Sequence, residues 1–128
     1  MTRVYLCGPM TGLPDFNRAA FRTSAEGLRK AGFDVISPLA ISDEWGLGQT
    51  WRWYMREALH QLATADVVAL LPGWERSRGA SLEWKIAEGL GLLAMDAAAL
   101  QKVNPQIAGE YFADYVNERA QALKGKLK

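Results

Sequence analysis

Five consecutive apolar residues, Val67–Leu71, constrain the fold of this chain more than any other feature. The run shows no alternation of apolar and polar side chains, so a strand formed from it would be covered on both faces. Strands of that kind are typical of parallel sheets that carry helices on both sides. The run therefore predicts an α/β protein with this strand inside a mostly parallel sheet.

The remaining patterns alternate between strands and helices. Apolar runs predict further strands at Val4–Cys7, Phe33–Ile36 and Leu92–Met95. Helical spacing predicts helices at Asn17–Ala31, Trp51–Leu62 and about Ser81–Leu90, and one or two more within Pro105–Leu123. Residues 39–50 are predicted to be a loop because they hold Asp43, Glu44 and two glycines. This order predicts a three-layer, flavodoxin- or Rossmann-like sandwich around a mostly parallel central sheet.

Composition excludes several classes of protein. The 15 basic and 14 acidic residues give a net charge of +1, so no charge field favours a nucleic acid polymer or a membrane surface. A single cysteine, Cys7, excludes an internal disulfide and fits a reducing compartment. No apolar run approaches the roughly 20 residues of a membrane span, and no signal peptide is evident. We therefore expect a soluble, cytoplasmic protein.

Three loops follow the carboxyl ends of the first three predicted strands: Gly8–Asp15, Ser37–Thr50 and Pro72–Ala80. In open parallel sheets, ligands bind outside those ends. Most of the candidate chemistry of the chain lies in these loops, which predicts a single site at that edge.

The segment Ser77–Glu83 joins the central strand to a helix and carries the most specific pattern. A serine hydroxyl, the N–H of Gly79 and a helix start can together hold phosphate oxygens, and Arg78 could add charge or point to solvent. Glu83 would then lie beside the bound anion. The alternative is that Ser81 is an ordinary N-cap and that the helix dipole favours Glu83 in the first turn.

Other candidates have equally open interpretations. Glycines in Gly8–Gly12 would let a ligand approach the backbone, or they simply end a strand. Trp74 could stack on a base, although tryptophan more often packs in a core or interface. His60 and Cys7 are expected to be packing or surface residues.

With these motifs, the chain resembles the nucleoside 2-deoxyribosyltransferase superfamily. The resemblance covers about residues 3–94 and is carried by Tyr5–Gly8 with Pro9 and Met10, by Ala65–Val68, and by Ser77-x-Gly79-x-Ser81-x-Glu83 with Ala87. The segments GPMTG and LLPGWERSRGASLEW look closest to those of a small branch of domains of unknown function common in phages and prophages. The resemblance implies a single domain over residues 1–128, with a helical C-terminal extension from about residue 95.

The superfamily includes enzymes that cleave the base–sugar bond of nucleosides or of nucleoside 5′-monophosphates through a glutamate nucleophile. The resemblance implies that Glu83 is this nucleophile and that Ser77 and Gly79 hold the 5′-phosphate, with Ser81 as a further candidate. Gly8, Pro9 and Met10 would line the pocket for base and sugar. It implies a small-molecule nucleoside or nucleotide partner, no metal or other cofactor, and a homo-oligomer. The alternative is a non-catalytic module that binds or senses a nucleotide.

The chain departs from the superfamily at Ala58, where relatives usually carry an aspartate that orients the nucleophile or handles a proton. Glu57 stands beside this position, but on a helix it points about 100° away. Either Glu57, Asp43 or Asp15 replaces the missing carboxylate, or the chain has kept the pocket and lost the chemistry. Many relatives that act on monophosphates also place an arginine after the first strand, where this chain has Met10 and Thr11.

Overall fold

The computed structural model describes residues 1–46 and 48–106. Strands β1–β4 span Arg3–Cys7, Asp34–Ile36, Val67–Leu70 and Leu93–Asp96. Helices α1–α5 span Arg18–Lys30, Leu39–Trp45, Trp51–Leu62, Arg78–Gly89 and Ala97–Leu100. Short turns at Pro14–Asn17 and Trp74–Arg76 precede α1 and α4.

The four strands form one sheet in the order β2-β1-β3-β4, and each pair of neighbours is parallel. In the central pair, Tyr5 lies opposite Val68 and Cys7 lies opposite Leu70. All four residues of β3 are buried, as its unbroken apolar run predicts. The α/β fold with a parallel sheet flanked by helices is therefore confirmed.

Alternate residues of β1 face two separate halves of the core. Val4 and Leu6 pack with Phe21 and Leu28 of α1 on one face of the sheet. The opposite face carries Tyr5 and Cys7, which belong to the core half that includes residues of α3 and α4: Ala58, Leu62, Ala80 and Ala87. Helices thus cover both faces, and the period of two along β1 decides which side chains meet α4.

The sheet edge opposite the loops is closed by Asp66, which precedes β3. Its carboxylate accepts the backbone N–H of Arg3 at 2.8 Å, and its own N–H donates to the Arg3 carbonyl at 2.9 Å. Asp66 therefore has a structural role where β1 and β3 begin to pair.

The prediction of a loop over residues 39–50 is wrong for its first half, which forms α2. Leu39 and Ile41 are both buried, and they pack into opposite halves of the core. This burial stabilises a short helix despite the acidic residues in its last turn. Gly46, with a φ of 78°, ends the helix, so the glycines mark its terminus rather than a loop throughout.

Helix α4 begins at Arg78 and not at about Ser81, because Ser77 is its N-cap. The other predicted elements agree to within about a residue at most ends, and α3 agrees at both. The expected helices in Pro105–Leu123 lie almost wholly outside the described residues. Among the described helices, none is long and apolar enough to span a membrane.

Gly8 lies where the ends of β1 and β3 come closest. The backbone N–H of Leu71 donates to the Cys7 carbonyl at 2.8 Å, which holds the two strand ends together just before Gly8. A Cβ on Gly8 would lie 2.7 Å from the Cβ of Leu71, closer than carbon atoms can pack. Glycine at this position is therefore required by the close approach of the two strand ends.

We predict that Gly8→Ala lowers the free energy of unfolding by about 1–3 kcal/mol, as overpacking does in other proteins. Urea denaturation would measure the change. Gly89→Ala is the matched control, since a Cβ there meets nothing within 4 Å and alanine favours the end of α4. Equal stability of Gly8→Ala and the wild type would contradict the packing argument.

Candidate functional site

A cavity of about 140 Å³ opens at the carboxyl edge of the sheet. It is lined by residues after β1 and β2 and by one end each of α3 and α4, so the loops predicted to meet do meet. The lining residues are Gly8, Met10, Thr11, Phe16, Pro38, Ile41, Ser42, Trp51, Tyr54, Met55, Ala58, Ser77, Gly79, Ala80 and Glu83. Five of the residues predicted to form the site are among them: Gly8, Met10, Ser77, Gly79 and Glu83.

Glu83 lies on the buried face of α4, between Ala80 and Ala87. Its exposed fraction is 6%, and no other charged residue in the described part of the chain is buried. Burial raises the pKa of Glu83 from its usual value near 4.5 to about 7, and a hydrogen bond from Tyr5 opposes this rise. The carboxyl group therefore changes charge near neutral pH, which is a property of catalytic groups.

Tyr5 is the hydrogen-bond partner of Glu83, and the sequence patterns do not indicate this contact. Its hydroxyl donates a hydrogen bond to Oε2 of Glu83, and its side chain is fully buried. Burial first, and then the charge of Glu83, raise the pKa of Tyr5 well above its usual value, so the phenol keeps its proton. One signal was available: a tyrosine inside a strand buried on both faces needs a polar partner.

The start of α4 is shaped by Ser77 and Gly79. The hydroxyl oxygen of Ser77 accepts the backbone N–H of Ala80 at 3.2 Å and caps the helix. A Cβ on Gly79 would lie 3.1 Å from Sδ of Met55, so glycine lets the first turns of α3 and α4 come close. Both residues line the cavity at a helix N-terminus, where backbone N–H groups lack helical partners.

Ser81 is neither the helix cap nor a lining residue. Its hydroxyl lies 3.0 Å from the carbonyl oxygen of Glu75 and 3.3 Å from that of Trp74, to which it donates. It therefore fastens the turn at Trp74–Arg76 to α4. The alternative N-cap interpretation of Ser81 is wrong, because Ser77 occupies that position.

Pro9 and Trp74 also lie outside the cavity lining. The carbonyl of Pro9 accepts a hydrogen bond from the Asn17 side-chain amide at 3.0 Å. The Trp74 ring packs on Trp84, with centroids 5.4 Å apart and planes tilted by 35°. Both contacts are structural, which favours the packing interpretation of Trp74.

The two remaining residues with open interpretations lie away from the chemistry. His60 is exposed on α3. Cys7 is fully buried, its Sγ donates to the Ala80 carbonyl at 3.3 Å, and burial raises its thiol pKa. Neither is placed to act on a ligand in the cavity.

Ala58 forms part of the cavity wall and is buried, so the position of the missing aspartate does face the site. Glu57 is half-buried but is not a lining residue. Asp43 and Asp15 both pair with Arg18, at 2.6 and 3.6 Å, and neither lines the cavity. Among the lining residues, Glu83 is therefore the only carboxylic acid.

The turn before α1 brings Phe16 to the cavity through an unusual backbone. Asp15, Phe16 and Asn17 have φ angles of 49°, 52° and 62°, which L-residues seldom adopt in succession. Contacts of Asn17 with Pro9 and of Arg18 with Asp15 hold the turn. The sequence predicts a loop up to Asp15 and a helix from Asn17, and neither pattern indicates this backbone, so Phe16 could not be identified as a lining residue.

We predict that Glu83 makes the stability of the protein depend on pH. Because its pKa is about 7 in the folded state and near 4.5 when unfolded, the folded state keeps a proton that the unfolded state releases. Its contribution is fully present below the unfolded pKa and is lost as the pH rises through about 7. Glu83→Gln should therefore gain stability over the wild type, on the order of 3 kcal/mol, between about pH 5 and pH 8.

Denaturation of both proteins across this pH range measures the difference. Tyr5→Phe serves as the opposite control, since it removes the hydrogen bond that lowers the pKa of Glu83. Carbon-13 NMR of the carboxyl group should show the Glu83 pKa rising further in Tyr5→Phe. A stability difference that does not change with pH would contradict the raised pKa.

Comparison with known proteins assigns the chain to a family. No curated protein is similar enough in sequence to be matched. Residues 2–96 match the family described as Domain of unknown function (DUF4406). The match extends across the whole sheet and includes every residue that lines the cavity. Since it covers well over half of the chain, this protein belongs to the DUF4406 family.

Proposed function

We propose that this protein cleaves the bond between base and sugar in a nucleoside, a deoxynucleoside or one of their 5′-monophosphates, with Glu83 as nucleophile. The observation that carries the proposal is a buried carboxyl group that faces a cavity at the carboxyl edge of a parallel sheet. The resemblance of Ser77-x-Gly79-x-Ser81-x-Glu83 to the nucleoside 2-deoxyribosyltransferase superfamily supports the same reaction.

In the proposed reaction, a carboxylate oxygen of Glu83 forms a bond to C1′ of the sugar. The bond between C1′ and the base nitrogen breaks, and its electron pair leaves with the base. Water then attacks C1′ and releases the sugar from Glu83, as in retaining glycosidases. A second base in place of water would give transfer instead of hydrolysis.

The start of α4 is the proposed binding site for a 5′-phosphate. A helix N-terminus favours anions, and the Ser77 hydroxyl can donate its hydrogen while its oxygen accepts the Ala80 N–H. The Arg78 guanidinium lies over the Trp51 ring, 3.9 Å from its centroid, next to the lining residues Ser77 and Gly79. Positive charge at this helix start would favour a bound phosphate, which supports the proposal.

Tyr5 is a positioning residue in this proposal. Its hydroxyl holds Oε2 of Glu83 and stabilises the ionised form, which is the form that attacks. The other oxygen of Glu83 is then the one that reaches C1′. Because the pKa of Glu83 is about 7, kcat/KM should rise as the pH increases through that value.

A non-catalytic module that binds or senses a nucleotide is the second candidate. Ala58 favours it, because the cavity wall is apolar where the superfamily usually carries an acid. Binding and catalysis differ in one measurable outcome, which is release of the free base.

We predict that Glu83→Gln abolishes base release from any nucleoside or monophosphate that the wild type cleaves. Glutamine has nearly the same shape but is a far weaker nucleophile, so the loss should be at least about 10³-fold, on the order of the loss when other catalytic nucleophiles are removed. Chromatography of free base after incubation with a panel of nucleosides and monophosphates measures it. Glu88→Gln, on the exposed side of the same helix, is the control and should keep wild-type rates.

Nucleotide binding without release, unaffected by Glu83→Gln, would establish the sensor instead. Glu57→Gln in the same assay decides whether that carboxylate takes part. The homo-oligomer implied by the resemblance is also part of the proposal, and light scattering of the purified protein would measure it.

A further inference from the structure

We propose that the substrates of this site are N-glycosides whose heterocycle carries a fixed positive charge, such as a pyridinium or an N-alkylated purine. The inference rests on the proposed function and deepens it, because it specifies the leaving group. Two features of the cavity lead to it: the described lining residues include no acid for the departing base, and three aromatic side chains are among them.

The first feature follows from the proton donors of the described lining residues. Glu83 is the only carboxylic acid among them, and as nucleophile it must be ionised when it attacks. The Tyr54 hydroxyl donates to the carbonyl of Gly46, and the Ser42 hydroxyl donates to that of Leu39. Thr11 and Ser77 offer only aliphatic hydroxyls, which are too weakly acidic for general acid catalysis near neutral pH.

Apart from these groups, the cavity wall formed by α3 and by the start of α2 is apolar and offers no acidic proton donor. Met55 and Ala58 follow Trp51 at helical spacing along the same face of α3. Pro38 and Ile41 line the cavity from α2 and the residue before it. A neutral base that must take up a proton as it leaves would find no acid on these surfaces.

A cationic heterocycle needs no such acid. When its bond to C1′ breaks, the electron pair returns to the ring nitrogen and cancels the positive charge, so the base leaves neutral and unprotonated. The carboxylate of Glu83 forms the new bond to C1′. Water then displaces Glu83, which gives the free sugar, the carboxylate and one proton released to solvent. All atoms and charges balance without a further reactant.

The second feature is the aromatic lining. Phe16, Trp51 and Tyr54 reach the cavity from two separate segments of the chain. Aromatic faces attract cations, most strongly where water is excluded. A flat cationic ring matches such a surface better than a neutral one does.

The buried carboxyl group strengthens the argument. Desolvation disfavours the charged form of Glu83, and its pKa of about 7 leaves much of it protonated at neutral pH. A positive charge bound nearby would favour ionisation. A cationic substrate would therefore generate the nucleophile that attacks it, whereas a neutral substrate would not.

The test compares matched pairs of monophosphates with the wild-type protein. One pair is nicotinamide mononucleotide and its reduced dihydro form, and the other is 7-methylguanosine monophosphate and guanosine monophosphate. We expect kcat/KM for base release to be at least about 100-fold higher for the cationic member, since a missing general acid costs about 10²–10⁴-fold. Similar values within each pair would overturn this inference while the proposed function stands. Release of base only from other members of the nucleoside and monophosphate panel would do the same, and no release from any compound of the panel would overturn both.

Ala58→Asp then tests the cause of the preference. An acid on this wall should raise kcat/KM for the neutral probes and lower the ratio within each pair by at least about 10-fold. Ala58→Asn, of the same size without an acidic proton, should leave the ratio unchanged. If the aspartate variant folds, as judged by circular dichroism, and its ratio equals that of the asparagine variant, the inference is wrong. If it does not fold, the wild-type ratios alone decide.

Discussion

The parallel pairing of β1 with β3 is the constraint on which the rest of the structure depends. It places Tyr5 opposite Val68 and Cys7 opposite Leu70, so both strands end at the same level of the sheet. The loops that follow them therefore begin side by side, and α4 starts next to Gly8. A slip of one residue along β1 would turn Tyr5 toward α1 and remove the partner of Glu83.

The same pairing explains why a carboxyl group can be buried on α4. Ala80 and Ala87 are small and fully packed, which brings the helix close to the sheet at the level of Tyr5 and Cys7. Glu83 lies between these alanines and accepts a hydrogen bond from the Tyr5 hydroxyl. The desolvation that results accounts for its raised pKa, so the packing of two alanines and the chemistry of one glutamate are linked.

Much of this arrangement could be predicted from local patterns, and what could not depends on contacts distant in sequence. The apolar run of β3 and the spacing in α3 are local, and both predictions agree with the structure. Short α2 depends on burying Leu39 and Ile41 in different halves of the core, which no local pattern encodes. The contact of Tyr5 with Glu83 joins residues 78 positions apart, so it emerges only once the sheet order is known.

The N-cap of α4 shows a second limit of prediction from sequence. Ser77 and Ser81 stand four residues apart before the same helix, and each has the side chain of a good N-cap. Only the turn at Trp74–Arg76 distinguishes them, because its carbonyls accept the Ser81 hydroxyl and leave Ser77 to cap. Sequence patterns identified a segment that lines the cavity, but tertiary contacts decide which of its serines faces the cavity.

Ala58 has two effects on the site: it determines how many acidic side chains line the cavity, and it influences how readily Glu83 ionises. An aspartate in its place would face the same small cavity, and two neighbouring carboxylates repel, which raises the pKa of one of them. A single carboxyl group with a tyrosine donor avoids that repulsion and keeps the Glu83 pKa at about 7 rather than higher. Compared with an aspartate, Ala58 therefore has opposite effects on the two steps of the proposed reaction: it keeps a second negative charge away from the ionised nucleophile, and it leaves the departing base without a proton donor.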